Sequence, residues 1–385
     1  MTDNKLVSVI INNYNYEKFL GEAIESVLFQ SYKNIELIIV DDGSTDRSRE
    51  VIEKYTNLYK NIHPVYKENG GQASAYNSGV QMSTGDIICF LDSDDAWYPE
   101  KVEHVLKLHK NNDFVQHDVL KNGRPNFIVP HAQFDRTKIF KKYGFLYLFS
   151  PSSAISLTKK LADKIFPIPE SDLRLCADLF VMFAATYLAG VFTSEEVLAL
   201  YRQHDSNNWQ VKIKIDKKAG PRKYLLVQEL VNEWLFEKRL SPIPTFNWLQ
   251  EERMLRDVYG ITTGTKYIVY GTGSMAARVV ELIVYAGASV EVFVDSSPSM
   301  WGTVFLDRPV IGPHEIADYV NHSGGIIIGS SFVSEILGVL DSVNISIDGV
   351  RFAPYLFLND EEKNACDCLT IPADTFITQQ NKKLP

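Results

Sequence analysis

The sequence has no stretch approaching the ~18–20 uncharged apolar residues that a membrane-spanning helix requires. Its longest apolar run, Leu179 to Phe192, is short and interrupted and reads as a core helix. The opening MTDNKLVSVIINNYNY lacks a long apolar segment and a small-residue cleavage site, so no secretory signal is expected there. Cysteines are scarce: Cys89, Cys176, Cys366 and Cys368 lie far apart except for the last pair, which excludes a disulfide framework and zinc-ligand spacing. Cys89 sits in an apolar strand pattern, where a buried free thiol is the ordinary reading. A reducing cytoplasm is the expected compartment. Basic residues are outnumbered, 39 Lys and Arg against 48 Asp and Glu, for a formal net charge of −9. A nucleic-acid partner is therefore not expected, because phosphate-backbone affinity needs clustered Lys and Arg. Glycine and proline are too few for a disordered chain.

What is present is ample core material, 45% hydrophobic over 385 residues, a length that suggests two domains. Apolar runs Leu6–Ile11, Ile35–Val40, His63–Tyr66 and Ile87–Leu91 read as strands. Helical spacing fills the intervals: Tyr16–Phe29, Arg47–Tyr59 with Asp46 or Thr45 as cap, Gln72–Met82, and a helix from Pro99 through Leu108. Such alternation implies a parallel sheet covered on both faces. From Asn111 to Pro151 the pattern weakens into loops and short strands, which leaves His117 and His131 as surface or loop residues. A helix over Leu157–Ile165 and an apolar helix from Ala177 follow. Residues 210–262 read as a helical connector. A fresh α/β pattern occupies 263–360, and 361–385 is a polar tail.

Ligands of open parallel sheets bind beyond the carboxyl ends of the strands. Two such ends are acidic: Asp41-Asp42, and Asp92-Ser93-Asp94-Asp95. Either alone reads equally well as a turn or helix cap. Together, at one sheet edge, they repel unless a cation or donor groups offset them. A hard divalent ion held by carboxylates and substrate phosphates suits that demand.

The ordered blocks VSVIINNYNYEKFLGEAIESVLFQSYKNIELIIVDDGSTD, ENGGQASAYNSGVQMSTGDIICFLDSDDAW, FPIPESDLRLCADLF and LALYRQHDSNNW resemble the family 2 glycosyltransferases of GT-A fold, over residues 5–209. The resemblance implies an α/β, GT-A Rossmann-like domain at 1–209. It implies an inverting transfer from a nucleotide-sugar, a UDP-sugar by preference, to a hydroxyl of a glycan, lipid-linked or protein acceptor. Asn12, Tyr14 and Asp42 would line the base pocket, Asp42 accepting from the uracil N3–H. Asp92 would contact the ribose, and Asp94 a divalent metal, Mn²⁺ or Mg²⁺, bridging the diphosphate. Asn69, Gly70, Gly71 and Asn77 would close over the donor. Asp178 would be the general base, although a first-turn helical acid is its plain alternative. His204 would assist the metal or diphosphate beside Arg202. One departure stands out: the family often has Pro-Thr where this chain has Asn12-Asn13.

The second α/β segment opens with Gly271-Thr272-Gly273-Ser274-Met275-Ala276 between a strand and a helix, and Asp295 ends the next strand. This is the setting of a phosphate-binding turn with a ribose-binding acid. Through GTGSMA, FVDSSPSMWG and RPVIGP it resembles the small Rossmann-like domain at the N-terminus of some sugar acyltransferases. A packing turn without ligand is the rival reading. Two other functions remain open, an NAD-dependent sugar-modifying enzyme and a non-catalytic nucleotide-sugar-binding protein. The first lacks a Tyr-x-x-x-Lys set after Asp295. The locally basic VKIKIDKKAGPRK at 211–223 leaves peripheral membrane association open and is equally a solvated face.

Overall fold

The computed structural model describes residues 4–121, 124–125, 136–144, 150–204, 219–244, 260–330, 333–346 and 350–352. The chain divides into two compact units, Met1–Phe127 with Asp135–Thr245, and Ile128–Phe134 with Phe246–Pro385.

In the first unit, β1 (Val7–Asn13), β2 (Ile35–Asp41), β3 (Ile62–Tyr66) and β4 (Ile87–Asp92) pair in parallel in the order β3-β2-β1-β4. Every residue of β2 is buried, as a strand covered on both faces demands. The intervening helices are α1 (Glu17–Leu28), α2 (Ser48–Thr56) and α3 (Gln72–Met82). α1 buries Leu20, Ala23, Ile24 and Val27, the three-and-four spacing of one helical face. The N-cap of α2 is Arg47 rather than the expected Asp46 or Thr45, but Asp46 just before it ties two helix starts together: Oδ1 accepts from Ser48 N at 3.0 Å and Oδ2 from Glu17 N at 3.0 Å. α3 lies so close to β1 that a Cβ on Gly79 would stand 2.5 Å from Ile10 Cγ2. Register pairs Asn12 with Asp92 and Asn13 with Asp41, so both acidic strand ends reach the same edge.

The second half contains more strand than its periodicity suggests. It runs β5 (Ala96–Trp97), α4 (Lys101–Leu108), β6 (Phe114–Lys121), β7 (Arg124–Pro125), α5 (Arg136–Tyr143), β8 (Ile155–Thr158), α6 (Lys159–Ile165), α7 (Ala177–Ala189), β9 (Phe192–Tyr201) and α8 (Ala219–Glu237). The sheet continues β4-β8-β6-β9-β5, with β8 antiparallel to both neighbours, which gives a mixed sheet of GT-A type. The expected helix at Leu157–Ile165 begins later, because Leu157 and Thr158 finish β8 and Thr158 Oγ1 caps the helix by accepting from Leu161 N. His117 is not a surface residue: it lies in β6 at 1% exposure, with Nδ1 against Asp118 O. Burial drives its pKa down to about 3, so it is a neutral core imidazole. His131 falls outside the described residues. α8 packs its Tyr224 and Trp234 edge-on against Phe183 and Phe180 of α7, and Gln228 donates to Gly144 O.

The second unit runs β10 (Lys266–Tyr270), α9 (Ser274–Tyr285), β11 (Ser289–Val294), β12 (Val304–Phe305), β13 (Arg308–Ile311), α10 (Ala317–Val320), β14 (Ile326–Ile328), α11 (Val333–Ser342) and β15 (Arg351–Phe352). Its sheet order is β12-β13-β11-β10-β14-β15, parallel except for β12. Residues 353–385, with Cys366 and Cys368, fall outside the described residues. Among the described residues, no helix is long and apolar enough to cross a membrane.

Candidate functional site

The two acidic strand ends meet different fates. Asp41 accepts from Asn13 Nδ2 and Arg49 Nε, each at 3.1 Å. Asp42 accepts from Lys67 Nζ at 2.7 Å, Gly70 N at 2.9 Å and Gly71 N at 2.7 Å. The protein's own cations and N–H groups therefore balance this pair, and no foreign ion is required there.

The β4 end is different. Carboxylate oxygens of Asp92, Asp94 and Asp95 lie within 4.8 Å of one another. Asp94 and Asp95 are buried, at 7% and 1% exposure. Burial, and then the charge on Asp94, push Asp92 up to about 7. Burial likewise raises Asp94, against the pull of His204 and Arg202, and holds Asp95 well above the ordinary carboxylate range. Close, buried like charges of this kind favour the neutral form unless a cation joins them. Hard oxygen donors packed this closely fit Mg²⁺ or Mn²⁺. Asn12 supplies a second sign of an absent ligand. Its amide hydrogen-bonds Asp92, while its Oδ1 is buried with no partner among the described residues. A buried acceptor without a donor is costly, by about 1–3 kcal/mol, and suits a ligand N–H or O–H.

β9 returns the closing block to this cluster. Arg202 N donates to Asp95 Oδ1 at 2.9 Å, and His204 Nε2 lies 3.1 Å from Asp94 Oδ2. Phe19 of α1 is shared by both, stacked on His204 at 4.6 Å and beneath the Arg202 guanidinium at 5.6 Å. Arg202 also pairs with Glu22. The expected neighbourhood of Asp94, His204 and Arg202 is thus brought together.

Asp178 joins from α7. Its helix starts at Cys176, held at φ 60°, a left-handed conformation that side chains rarely adopt. Burial pushes Asp178 up to about 6, while the N–H groups of Leu179 and Ser152 and the Lys223 ammonium pull the other way. Ser152 is the link to the acid cluster: its Oγ donates to Asp92 Oδ2 at 2.5 Å. The charge of Asp178 in turn raises Asp92. Asp92 and Asp178 therefore lie near enough to feel each other's charge, and both act on Tyr76, whose hydroxyl burial and then these two charges hold well above its ordinary range.

Other expected donor contacts lie elsewhere. Asn77 clamps the 168–170 loop: Nδ2 donates to Ile168 O and Glu170 Oε1 at 2.9 Å, and Oδ1 accepts from Ile168 N at 2.8 Å. Asn69 is held by Arg174. The first N–H groups of α3 are satisfied internally, those of Gly70 and Gly71 by Asp42, Gln72 by Arg174 O at 3.0 Å, and Ala73 by Leu173 O at 3.2 Å. Arg174 crosses so tightly that a Cβ on Gly71, at φ +88°, would stand 2.6 Å from its Cα. This segment is thus a joint between α3 and α7, because its donors already have partners. Tyr14 stands exposed after β1.

Sequence reading missed Lys67, Ser152, Ser153 and Lys223. Each acts across a long separation: Ser152 is 60 residues from Asp92 and Ser153 is 58 from Asp95. Nothing local in the sequence aims these residues at the acids.

In the second unit, Gly271 has φ +113°, and a Cβ there would lie 2.9 Å from Gly329 O. The glycine is required by packing. A Cβ on Gly273 would meet nothing within 4 Å among the described residues. Asp295 accepts from Thr272 Oγ1 at 2.6 Å and from Ser297 N at 2.8 Å, so its carboxylate ties two loops together.

Two family models match the chain: glycosyl transferase family 2 over residues 8–164, and the domain described as C2185-like, N-terminal, over 263–350. An uncharacterized glycosyltransferase of Nostoc is 35% identical over 212 residues, 52% of this chain and 66% of the relative. Another, of Rickettsia typhi, is 32% identical over 214 residues, 53% and 66%. The chain thus spans just under two thirds of the length of these relatives. A Bacillus subtilis protein named for glycosyl transfer in teichuronic acid biosynthesis is 43% identical over 103 residues, 26% of this chain and 41% of that one. Among solved structures, S. aureus TarS 1–349 in complex with UDP-GlcNAc superposes with a TM-score of 0.48 at 22% identity, covering 66% of this chain and 71% of that one. Over residues 8–164, within its first unit, the chain thus matches glycosyl transferase family 2.

Proposed function

We propose that the first unit is an inverting, metal-dependent glycosyltransferase that moves a sugar from a nucleoside diphosphate sugar, a UDP-sugar by preference, to an acceptor hydroxyl of a glycan, lipid-linked or protein substrate. The observation that carries this reading is the convergence of Asp92 and Asp178 on Ser152, beside the Asp94–His204 pair. Asp94, with Asp92 and His204 alongside, would hold a Mn²⁺ or Mg²⁺ ion, which supplies Lewis-acid stabilisation to a departing diphosphate. Arg202 adds positive charge at the same end. Asn12 offers its buried oxygen to the nucleoside, and Asp42, paired with Lys67, follows the end of the neighbouring strand β2. Asp178, in its ionised form, takes the proton of the acceptor hydroxyl as it attacks, a role typically contributing ~10²–10⁴-fold. Lys223 favours that ionised form. Attack on the face opposite the leaving group inverts the anomeric centre.

A nicotinamide-dependent reading of the second unit has less support. Asp295, the acid a dinucleotide ribose needs, is occupied by Thr272 and Ser297.

The test is a melting-temperature screen of UDP, GDP, UDP-sugars, GDP-sugars and NAD, with and without Mn²⁺, on wild type and Asp94→Ala. A uridine nucleotide that stabilises wild type only with Mn²⁺, and leaves Asp94→Ala unmoved, is the expected result. Stabilisation by NAD alone, or equal uridine responses in both proteins, contradicts the proposal.

A further inference from the structure

The three carboxylates at the β4 end differ in what already holds them. Among the described residues, Asp94 has the side chain of His204 as hydrogen-bond partner, and Asp92 has those of Ser152 and Asn12. Asp95 is the most enclosed, at 1% exposure. Both of its oxygens accept from distant segments: Oδ2 from Ser153 Oγ at 2.5 Å, and Oδ1 from Arg202 N at 2.9 Å. Ser153 Oγ in turn accepts from Asp92 N at 3.1 Å, and Ser153 O accepts from Trp97 Nε1 at 2.7 Å. Asp95 thereby ties three chain segments into one knot: the 92–97 turn, the 152–154 turn and the exit of β9.

The β5–β9 pairing stops just short of this point, with Ala96 opposite Leu200 and Trp97 opposite Ala199. The Asp95–Arg202 bond is the next link beyond that two-residue ladder. Past it, the chain carries the side chains of Arg202 and His204 over Phe19 and onto Asp94. On its other side β9 is paired with β6 as far as Tyr201 opposite Lys121, so the Asp95 oxygen holds the first residue past the sheet, ahead of the Phe19 and Asp94 contacts of His204.

We propose that Asp95 is a positioning residue that docks the Arg202–His204 segment over the site, and that it leaves coordination of a divalent cation to Asp92 and Asp94. The inference rests on the metal reading above for its second half only. The docking half stands on hydrogen bonds within the protein. Asp95→Asn is the decisive variant. Its carbonyl oxygen still accepts from Arg202 N, and its amide donates to a rotated Ser153 hydroxyl, so the dock survives while an anionic ligand is lost. Asp95→Ala keeps neither bond.

Two measurements on the full chain decide the matter. The first is Mn²⁺ binding, read from the free-ion electron paramagnetic resonance signal with UDP present. Asp95→Asn is expected to bind within about threefold of wild type, whereas Asp94→Asn weakens by on the order of tenfold or more. The second is amide hydrogen exchange of peptides covering 199–204. Asp95→Ala is expected to exchange there on the order of tenfold faster, with wild-type protection restored in Asp95→Asn. Loss of Mn²⁺ binding in Asp95→Asn matching that of Asp94→Asn would make Asp95 a ligand and overturn the proposal. Unchanged exchange in Asp95→Ala would overturn the docking role. Wild-type protein that binds no Mn²⁺ contradicts the function proposed above instead, and the exchange comparison still decides the dock.

Discussion

Asp178→Asn removes a carboxylate that the fold holds in an unfavourable place. Burial moves that group from its ordinary 3.8 to about 6. At 1.36 kcal/mol per pKa unit, the ionised form costs the native state ~3 kcal/mol at pH 8, before solvent screening reduces it. The sign follows from the direction: an acid with a raised native pKa binds its proton more tightly when folded. Its stabilising contribution is therefore complete below pH 3.8 and is lost as pH rises through 6. The neutral amide escapes that loss. In metal-free buffer at pH 8, Asp178→Asn should melt above wild type by up to roughly 6–12 °C, given ~2–4 °C per kcal/mol for a unit this size. The gap should shrink to about half in free energy at pH 5 and nearly close at pH 4. Transfer, measured as UDP released only when acceptor is present, should fall by ~10²–10⁴. A variant that is inactive but no more stable at pH 8, or equally more stable at pH 4 and pH 8, would refute the burial argument. A variant that transfers normally would refute the role of base.

Three further outcomes follow from contacts at and around the site. Gly79→Ala forces a methyl toward Ile10 and should destabilise the first unit by ~1–3 kcal/mol in urea unfolding; an unchanged midpoint contradicts that close approach. Asn77→Ala strips three hydrogen bonds from the 168–170 loop. It should cost about 1–3 kcal/mol and speed proteolysis of that loop, with Mn²⁺ affinity unchanged; lost Mn²⁺ binding would return Asn77 to the donor site. Ser152→Ala removes the hydroxyl donor of Asp92 and should lower kcat on the order of tenfold, with the Asp178-dependent melting pattern kept; wild-type kcat would exclude Ser152 from the site.

The parallel half of the first unit was legible because its strands are continuous apolar runs and its helices keep one buried face. Gln72–Met82 is a helix over the residues the spacing predicts. β6 was not legible, because Gln116, His117 and Asp118 are polar yet buried. Partners such as Thr193 and Ser150, brought in by tertiary structure, make that tolerable. The same limit applies to the site. Asp92, Asp94 and Asp178 announce themselves as acids at strand and helix ends. The two acidic clusters look alike in sequence, and only the fold supplies Arg49 and Lys67 to one of them. Asn77 and Asp295 carry residue types that a donor site would use, but their hydrogen bonds join loops of the protein itself. Local pattern reports which groups are available; the fold decides which of them remain unpaired.

In the function proposed above, a cation at Asp94 and a base at Asp178 face each other across one sugar donor. A crystal structure of the full chain with UDP and Mn²⁺ tests it most directly. The expected result is an Asp94 oxygen within about 2.0–2.3 Å of the ion, the diphosphate on the ion's other side, and Asp178 across the sugar position. UDP bound in the second unit, or Mn²⁺ bound away from the β4 end, would contradict it.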